Sequence, residues 1–271
     1  MPRASSFSRY LASSKKFIEL RGLTPLCYNG KKMPRQPRQF EIGGIYHVVK
    51  RATEGREIFL KPQDFHRFIL GLEFFNDADP ADLWNLIVGI VGSDPAKLGQ
   101  KLKKQRRKKR IAIVELLAFV LMPNHIHLIL REIKQNGISK YIQKLGGYST
   151  YFNKQYHRMG ALFQSRFKAI RIKDDVQLDT VFSYVHTNPV ELWEAGWKKR
   201  KVKNPERAVK KLEEYWASSY NDYIGISKFP QVVDRKFFLE FYGDEKKCKQ
   251  AIVDWIRFKA GQIELGPEII E

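Results

Sequence analysis

Two cysteines are all that the 271 residues contain. Cys27 and Cys248 stand far apart with no CxxC partner, which excludes a disulfide framework and a zinc knuckle and leaves both as free thiols. Long apolar runs are missing as well. None reaches the ~18 residues of a spanning helix, and an SSKK stretch falls where a leader peptide would need its apolar segment. The chain therefore reads as soluble and intracellular, with no membrane partner. Acidic residues are the third scarcity: 29 Asp and Glu face 49 Lys and Arg, a formal charge of +20. Self-repulsion of that size costs stability unless a polyanion offsets it, and nucleic acid is the polyanion that fits. A hydrophobic fraction of 43% is ample for a buried core.

Residues 1–38 carry Arg, Lys, Ser and Pro without a sustained period and are expected to be a basic arm or a disordered leader. Residues 39–197 read as one folded domain, and residues 198–271 as a basic linker with a helical extension. Inside the domain, "GGIYHVVKRA" alternates Tyr46, Val48 and Lys50 with His47, Val49 and Arg51, as a strand does. Phe65, Phe68, Ile69, Leu72 and Phe75 then recur at helical spacing behind Asp64. Residues 77–110 interrupt this pattern and end in "KLKKQRRKKR", eight basic residues in ten, a solvated insertion or a phosphate contact. "IAIVELLAFVLM" reads as a buried strand, "PN" as a turn and "HIHLILR" as the returning strand. Ile138, Tyr141, Ile142, Leu145, Tyr148 and Phe152 form a second helix pattern, "GALFQSRFKAIRIK" a further extended piece, and "QLDTVFSYVHTNPV" a helix closed near Asn188 by Pro189. The order predicts an α+β fold: a ferredoxin-like or RNA-recognition-motif-like sandwich, an antiparallel sheet with its helices on one face.

Two histidines sit one residue apart in "LMPNHIHLIL". On a strand, residues i and i+2 share a face, so His125 and His127 present imidazoles about 7 Å apart at the backbone, close enough to tilt onto one metal ion. Ile126, Leu128 and Leu130 take the other face and pack on a helix layer. In "FSYVHTNPV" a helix puts Tyr184 and Asn188 at i and i+4 on one side, while His186 faces elsewhere. Mg²⁺ or Mn²⁺ held by His125, His127 and the Asn188 oxygen would keep positions open for phosphate oxygens. A phenol beside it is a candidate to attack phosphorus.

Four ordered motifs, "GGIYHVVKRA", "FVLMPNHIHLIL", "YFNKQYHRMGALFQSRFKAIRI" and "YVHTNPVELWEAG", resemble the REP-associated tyrosine transposases of the HUH endonuclease superfamily, which act on single-stranded DNA. The resemblance runs from about Met33 to about Gly225. It implies that His125 and His127 bind a divalent metal, that Tyr184 is the nucleophile giving a 5′-phosphotyrosine, and that Asn188 is the third ligand. His186 matches the family's own histidine and joins Tyr184 as a catalytic candidate, its role open between a base, a DNA contact and structural support. Hairpin DNA is the implied partner, a bacterial nucleoid-associated cytoplasm the implied location, and a monomer or homodimer the implied assembly. The family core usually starts at an "MPR", here Met33, so residues 1–32 are expected to be an extension or a misassigned start. The 77–110 insertion is longer than the usual link and bears on which DNA is recognised.

In the third motif, Arg158, Arg166, Lys168, Arg171 and Lys173 accompany Phe163. Cations would grip a DNA backbone while flat rings stack unpaired bases; alternatively the Phe residues fill the core. Two rivals to the transposase reading are a non-catalytic RRM-like binder of single-stranded nucleic acid, and a nuclease that activates water. No Asp or Glu cluster accompanies the histidines, which disfavours the second.

Overall fold

Gly43 opens the sheet. Its φ of +81° suits a turn that only glycine enters without strain, and its amide donates to the Glu132 carbonyl at 2.7 Å, tying the start of one strand to the end of another. The computed structural model describes residues 38–79 and 110–262, the paired dipeptides β1 (Cys27–Tyr28) and β2 (Lys31–Lys32), and the single residue 104. Most of the expected basic arm, residues 80–103 and 105–109 of the expected insertion and residues 263–271 lie outside the described residues.

β3 (Ile45–Arg51) pairs antiparallel with β5 (His125–Glu132) along its whole length, from Ile45 opposite Arg131 to Arg51 opposite His125. β4 (Val114–Met122) returns through the Pro123–Asn124 turn onto the other side of β5, and β6 (Lys168–Ile172) flanks β3. The sheet order is β4-β5-β3-β6, all antiparallel. α1 (Pro62–Phe74) joins β3 to β4, while α2 (Gly137–Leu145) and α3 (Tyr148–Gln155) join β5 to β6. This is the strand–helix–strand–strand–helix–strand succession expected from the sequence.

The helices that join the strands keep to one face, as expected, and further helices cover the other. α1, α2 and α3 pack on Tyr46, Val48, Phe119, Leu121, Ile126, Leu128 and Leu130. The opposite face, with Leu117, Ala118, Val120, Met122 and Ile129, is covered by α4 (Asp175–Thr187), α5 (Pro205–Glu214), α6 (Tyr220–Tyr223), α7 (Arg235–Tyr242) and α8 (Glu245–Lys259). The cause is visible in β4 and β5, whose nearly unbroken apolar runs leave both surfaces in need of burial. The expected boundary near residue 198 has no counterpart in packing, because Ala208, Leu212, Tyr223, Phe238 and Ile252 share one core with the sheet. Residues 217–219 also cover the β4 edge, with the Leu121 amide donating to the Ala217 carbonyl and the Ser219 amide to that of Phe119. Cys248 is a buried free thiol in that core. Among the described residues, no helix is long and apolar enough to cross a membrane.

The start of α2 is tightly built. The buried Glu132 carboxylate accepts from the amides of Gly137 and Ile138 at 2.9 and 2.7 Å, meeting two of the donors that every helix start leaves unpaired. A Cβ on Gly137 would meet the Ile113 carbonyl oxygen at 2.1 Å. Alanine gains at most about 1 kcal/mol in helix propensity over glycine, whereas crowding a closed site costs about 1–3 kcal/mol. Gly137→Ala is therefore expected to lower stability, read as an earlier midpoint in urea unfolding; an unchanged or later midpoint would show that the strand end yields.

Candidate active site

Alternation along β5 sends Ile126, Leu128 and Leu130 into the first core and turns His125 and His127 to the other face. His127 is buried and His125 half-buried. Register brings β3 alongside: Val49 stands opposite His127 and Arg51 opposite His125, with His47 one step diagonal. The His47 Nε2 and His127 Nδ1 atoms are hydrogen-bonded at 2.8 Å, and His125 Nδ1 bonds the Asn124 side-chain oxygen at 2.6 Å. Both histidines of the pair thus commit Nδ1. His127 Nε2 is left buried with no hydrogen-bond partner among the described residues.

Burial holds all three imidazoles neutral. It pushes His47 and His125 down to about 4, with Arg51 adding to the shift at His125. It pushes His127 well below the ordinary range, with His47, His125 and Arg51 contributing in turn. A neutral imidazole keeps the lone pair that a metal needs.

Asp174 starts α4 by accepting from the Gln177 amide at 2.8 Å. Val181, Phe182 and Val185 anchor the helix in the second core, which leaves Tyr184 on its rim, 36% exposed and so within reach of a substrate. Its ring stands edge-on to both His47 and His127, with centroids 5.8 and 5.6 Å away. One turn on, Asn188 is buried and donates from Nδ2 to the Tyr184 carbonyl at 2.8 Å. Burial raises the phenol's pKa first of all; the Asn188 side chain and the charges of Arg51 and Lys198 draw it down, and Glu191 raises it. His127 thus stands beside both His125 and Tyr184, with ring centroids 4.8 and 5.6 Å away, and Asn188 lies one turn along the helix from Tyr184.

Among the described residues, no group of three or more His, Cys, Asp and Glu side chains is arranged as a metal cage. The donor set present is two imidazoles and one amide. It fits a divalent cation through the orphaned His127 Nε2 and through second partners on both Nδ1 atoms, the usual support of ligating histidines.

Other expected residues lie elsewhere. His186 is fully buried on the far side of α4, where Nε2 bonds the Ser219 hydroxyl at 2.8 Å and the ring packs on Phe182 and Tyr223. Two residues along a helix turn a side chain to roughly the opposite side, so His186 ties α4 to the C-terminal layer and does not reach the site. Phe163 is buried in the first core, where it fills space and offers no face to a base. Arg158 is committed to the turn beside it, at 2.9 Å to the Asn153 side-chain oxygen and 3.3 Å to the Ala161 carbonyl. Arg171 stands opposite Tyr46, on the face away from the histidines, and pairs with Glu41. Lys168, opposite Val49, shares the site's face and is exposed, as are Arg166 and Lys173.

Two residues at the site were not singled out by the sequence reading, His47 and Arg51. Their alternation with Tyr46, Val48 and Lys50 was visible in the sequence. Nothing there fixed the register that brings His47 beside His127.

Among curated proteins, none matches the chain. A solved structure described as a REP-associated tyrosine transposase bound to a REP hairpin is similar at 15% identity with a TM-score of 0.43, over 74% of this chain and 92% of that one. Residues 90–188 match the model of the family described as "Transposase IS200 like". That span contains β4, β5 and all of α4, so the segment that supplies His125, His127, Tyr184 and Asn188 is similar to the IS200-like transposases.

Proposed function

We propose that this chain is a DNA transposase of the REP-associated tyrosine type: a metal-dependent endonuclease and strand transferase that nicks single-stranded DNA beside a hairpin and holds the cut end on Tyr184. The observation that carries the reading is the convergence of the Tyr184 phenol on one helix with the neutral imidazoles of His125 and His127 on one strand. The family match over residues 90–188 supports it, and so does the formal charge of +20. The hairpin as substrate follows from the resemblance of the four motifs.

Mg²⁺ or Mn²⁺ held by His125, His127 and Asn188 would polarise the scissile phosphodiester. The rest falls to the chain's own groups. Tyr184 Oη forms the new bond to phosphorus, the bond from phosphorus to the 3′ oxygen breaks, and the phenol's proton ends on that oxygen, giving a 5′-phosphotyrosine and a free 3′ hydroxyl. Rejoining runs the same step backwards with a different 3′ hydroxyl. Asn188 holds the last turn of α4 by its bond to the Tyr184 carbonyl, so phenol and amide move as one unit. Arg51, exposed at the end of β3 and opposite His125, carries the charge that faces a phosphate entering there.

Incubated with single-stranded hairpin oligonucleotides and Mn²⁺, the wild-type protein is expected to form a covalent DNA adduct on a denaturing gel. Tyr184→Phe and His125→Ala should form none; adduct persisting in Tyr184→Phe would move the nucleophile elsewhere. A non-catalytic binder, the rival reading, would hold the hairpin equally well in chelator and yield no adduct at all. For Arg51→Gln the adduct should form about 100-fold more slowly, the usual scale for removing one donor from a developing charge, while Mn²⁺ affinity stays within about twofold. Equal rates for the two proteins would remove Arg51 from the phosphate site.

A further inference from the structure

The motif "GGIYHVVKRA" contributes a third histidine to the site, and its geometry is specific. His47 Nε2 lies 2.8 Å from His127 Nδ1. The ring centroids are 5.1 Å apart and the planes only 15° off parallel. That separation equals the bond plus about one ring diameter, so the rings lie end to end in nearly one plane and do not stack. The contact is an in-plane N–H···N hydrogen bond, which one ring must donate and the other accept.

We propose that His47 is a positioning residue: its Nε2 lone pair accepts the Nδ1 proton of His127, fixing that ring's tautomer and tilt so that Nε2 presents a lone pair to the cation. This rests on the reading of His127 as a metal ligand. The proton count closes in one way. If Nε2 of His127 is to bind a cation, its proton must sit on Nδ1, so His47 Nε2 must accept and the His47 proton must sit on Nδ1. That Nδ1 is buried with no hydrogen-bond partner among the described residues, a cost that a histidine kept only to fill space would not carry, since a buried polar group left unpaired is destabilising. An apolar residue in the same volume would avoid it. His47 is not itself placed as a ligand through Nε2, because that atom lies on the Nδ1 side of His127, away from the orphaned Nε2. From the turn that leads into β5, Asn124 does the same for His125, accepting from Nδ1 at 2.6 Å. Two neighbours of different chemistry thus impose one tautomer on both members of the pair. Such partners of metal-ligating histidines typically change affinity by about 10- to 100-fold when removed.

The test uses the full-length protein in two measurements that need no DNA. In Mn²⁺ titration followed by electron paramagnetic resonance, His47→Phe should bind about 10- to 100-fold more weakly than wild type. His47→Gln, whose amide oxygen can reach the position of the lost acceptor, should recover most of the affinity; circular dichroism melts report whether each variant folds. In the metal-free wild-type protein, nitrogen-15 correlation spectra of the imidazoles should show His127 protonated on Nδ1, the minor form of free histidine. Wild-type affinity in a folded His47→Phe, or His127 protonated on Nε2, overturns the inference. Should wild type and His127→Ala bind Mn²⁺ equally weakly, the metal site itself fails, and the tautomer spectrum still decides whether His47 acts on His127.

Discussion

The antiparallel register of β3 on β5 is the constraint on which the site depends. With Val49 opposite His127 and Arg51 opposite His125, one face collects His47, Arg51 and the histidine pair while the other collects Tyr46, Val48, Ile126, Leu128 and Leu130. A slip of one residue would send the histidines into the first core and the leucines into the site, because side chains alternate with a period of two. The register is held by more than the ladder. The reciprocal bonds between Gly43 and Glu132 and between Glu132 and Gly44 close one end, and the Ala52 amide bonded to the Asn124 carbonyl closes the other. Asn124 thereby serves twice, as a clamp through its backbone and as a partner of His125 through its side chain.

The second half of the site, Tyr184, is aimed by packing far from the chemistry. α4 is wedged between the sheet and the C-terminal helices, with Phe182 against Phe238 and Tyr242, and Asp179 accepting from the Tyr242 hydroxyl at 2.5 Å. His186 completes the grip through Ser219, which also contacts the backbone of β4 at Phe119. The C-terminal helices therefore belong to the same core as the catalytic candidates. They limit how far the helix carrying Tyr184 can roll over the histidines, and the cost of that restraint is spread over a broad apolar surface, not a single bond.

Legibility followed the range of the interaction. His125 with His127, and Tyr184 with Asn188, could be read from sequence because strand and helix periods are local, and each pair needs only its own element. The four-strand succession was legible for the same reason, from apolar runs and turn residues. His47 was not, although its alternation was plain, because the register that sets it beside His127 is decided by contacts some eighty residues apart. Phe163 was ambiguous for another reason: a strand that mixes cations and rings reads alike whether the rings face solvent or core, and here the first core needed the ring. The helices of the second layer were legible, with Phe237, Phe238, Phe241, Ile252, Trp255 and Ile256 available to pack, but not the face of the sheet that they cover. The two-sided hydrophobicity of β4 was the sign that something had to cover it.

Electrostatics completes the division of labour. One physical effect, desolvation, has opposite consequences on the two halves of the site: it keeps imidazoles neutral with their lone pairs free, and it keeps a phenol protonated. Nearby charges break that symmetry. Arg51 and Lys198 disfavour a proton on His125 and also favour the phenolate of Tyr184, so both push toward a neutral imidazole and an ionised phenol. Glu191 opposes them at both groups. It is held by Lys198 at 2.7 Å, and because that cation also acts on His125 and Tyr184, the pair presents the site with little net charge. Among the described residues Arg51 makes no ion pair, and it lies on the strand that also supplies His47, so a charge that eases loss of the phenol's proton sits on the same rigid element as the group bonded to His127.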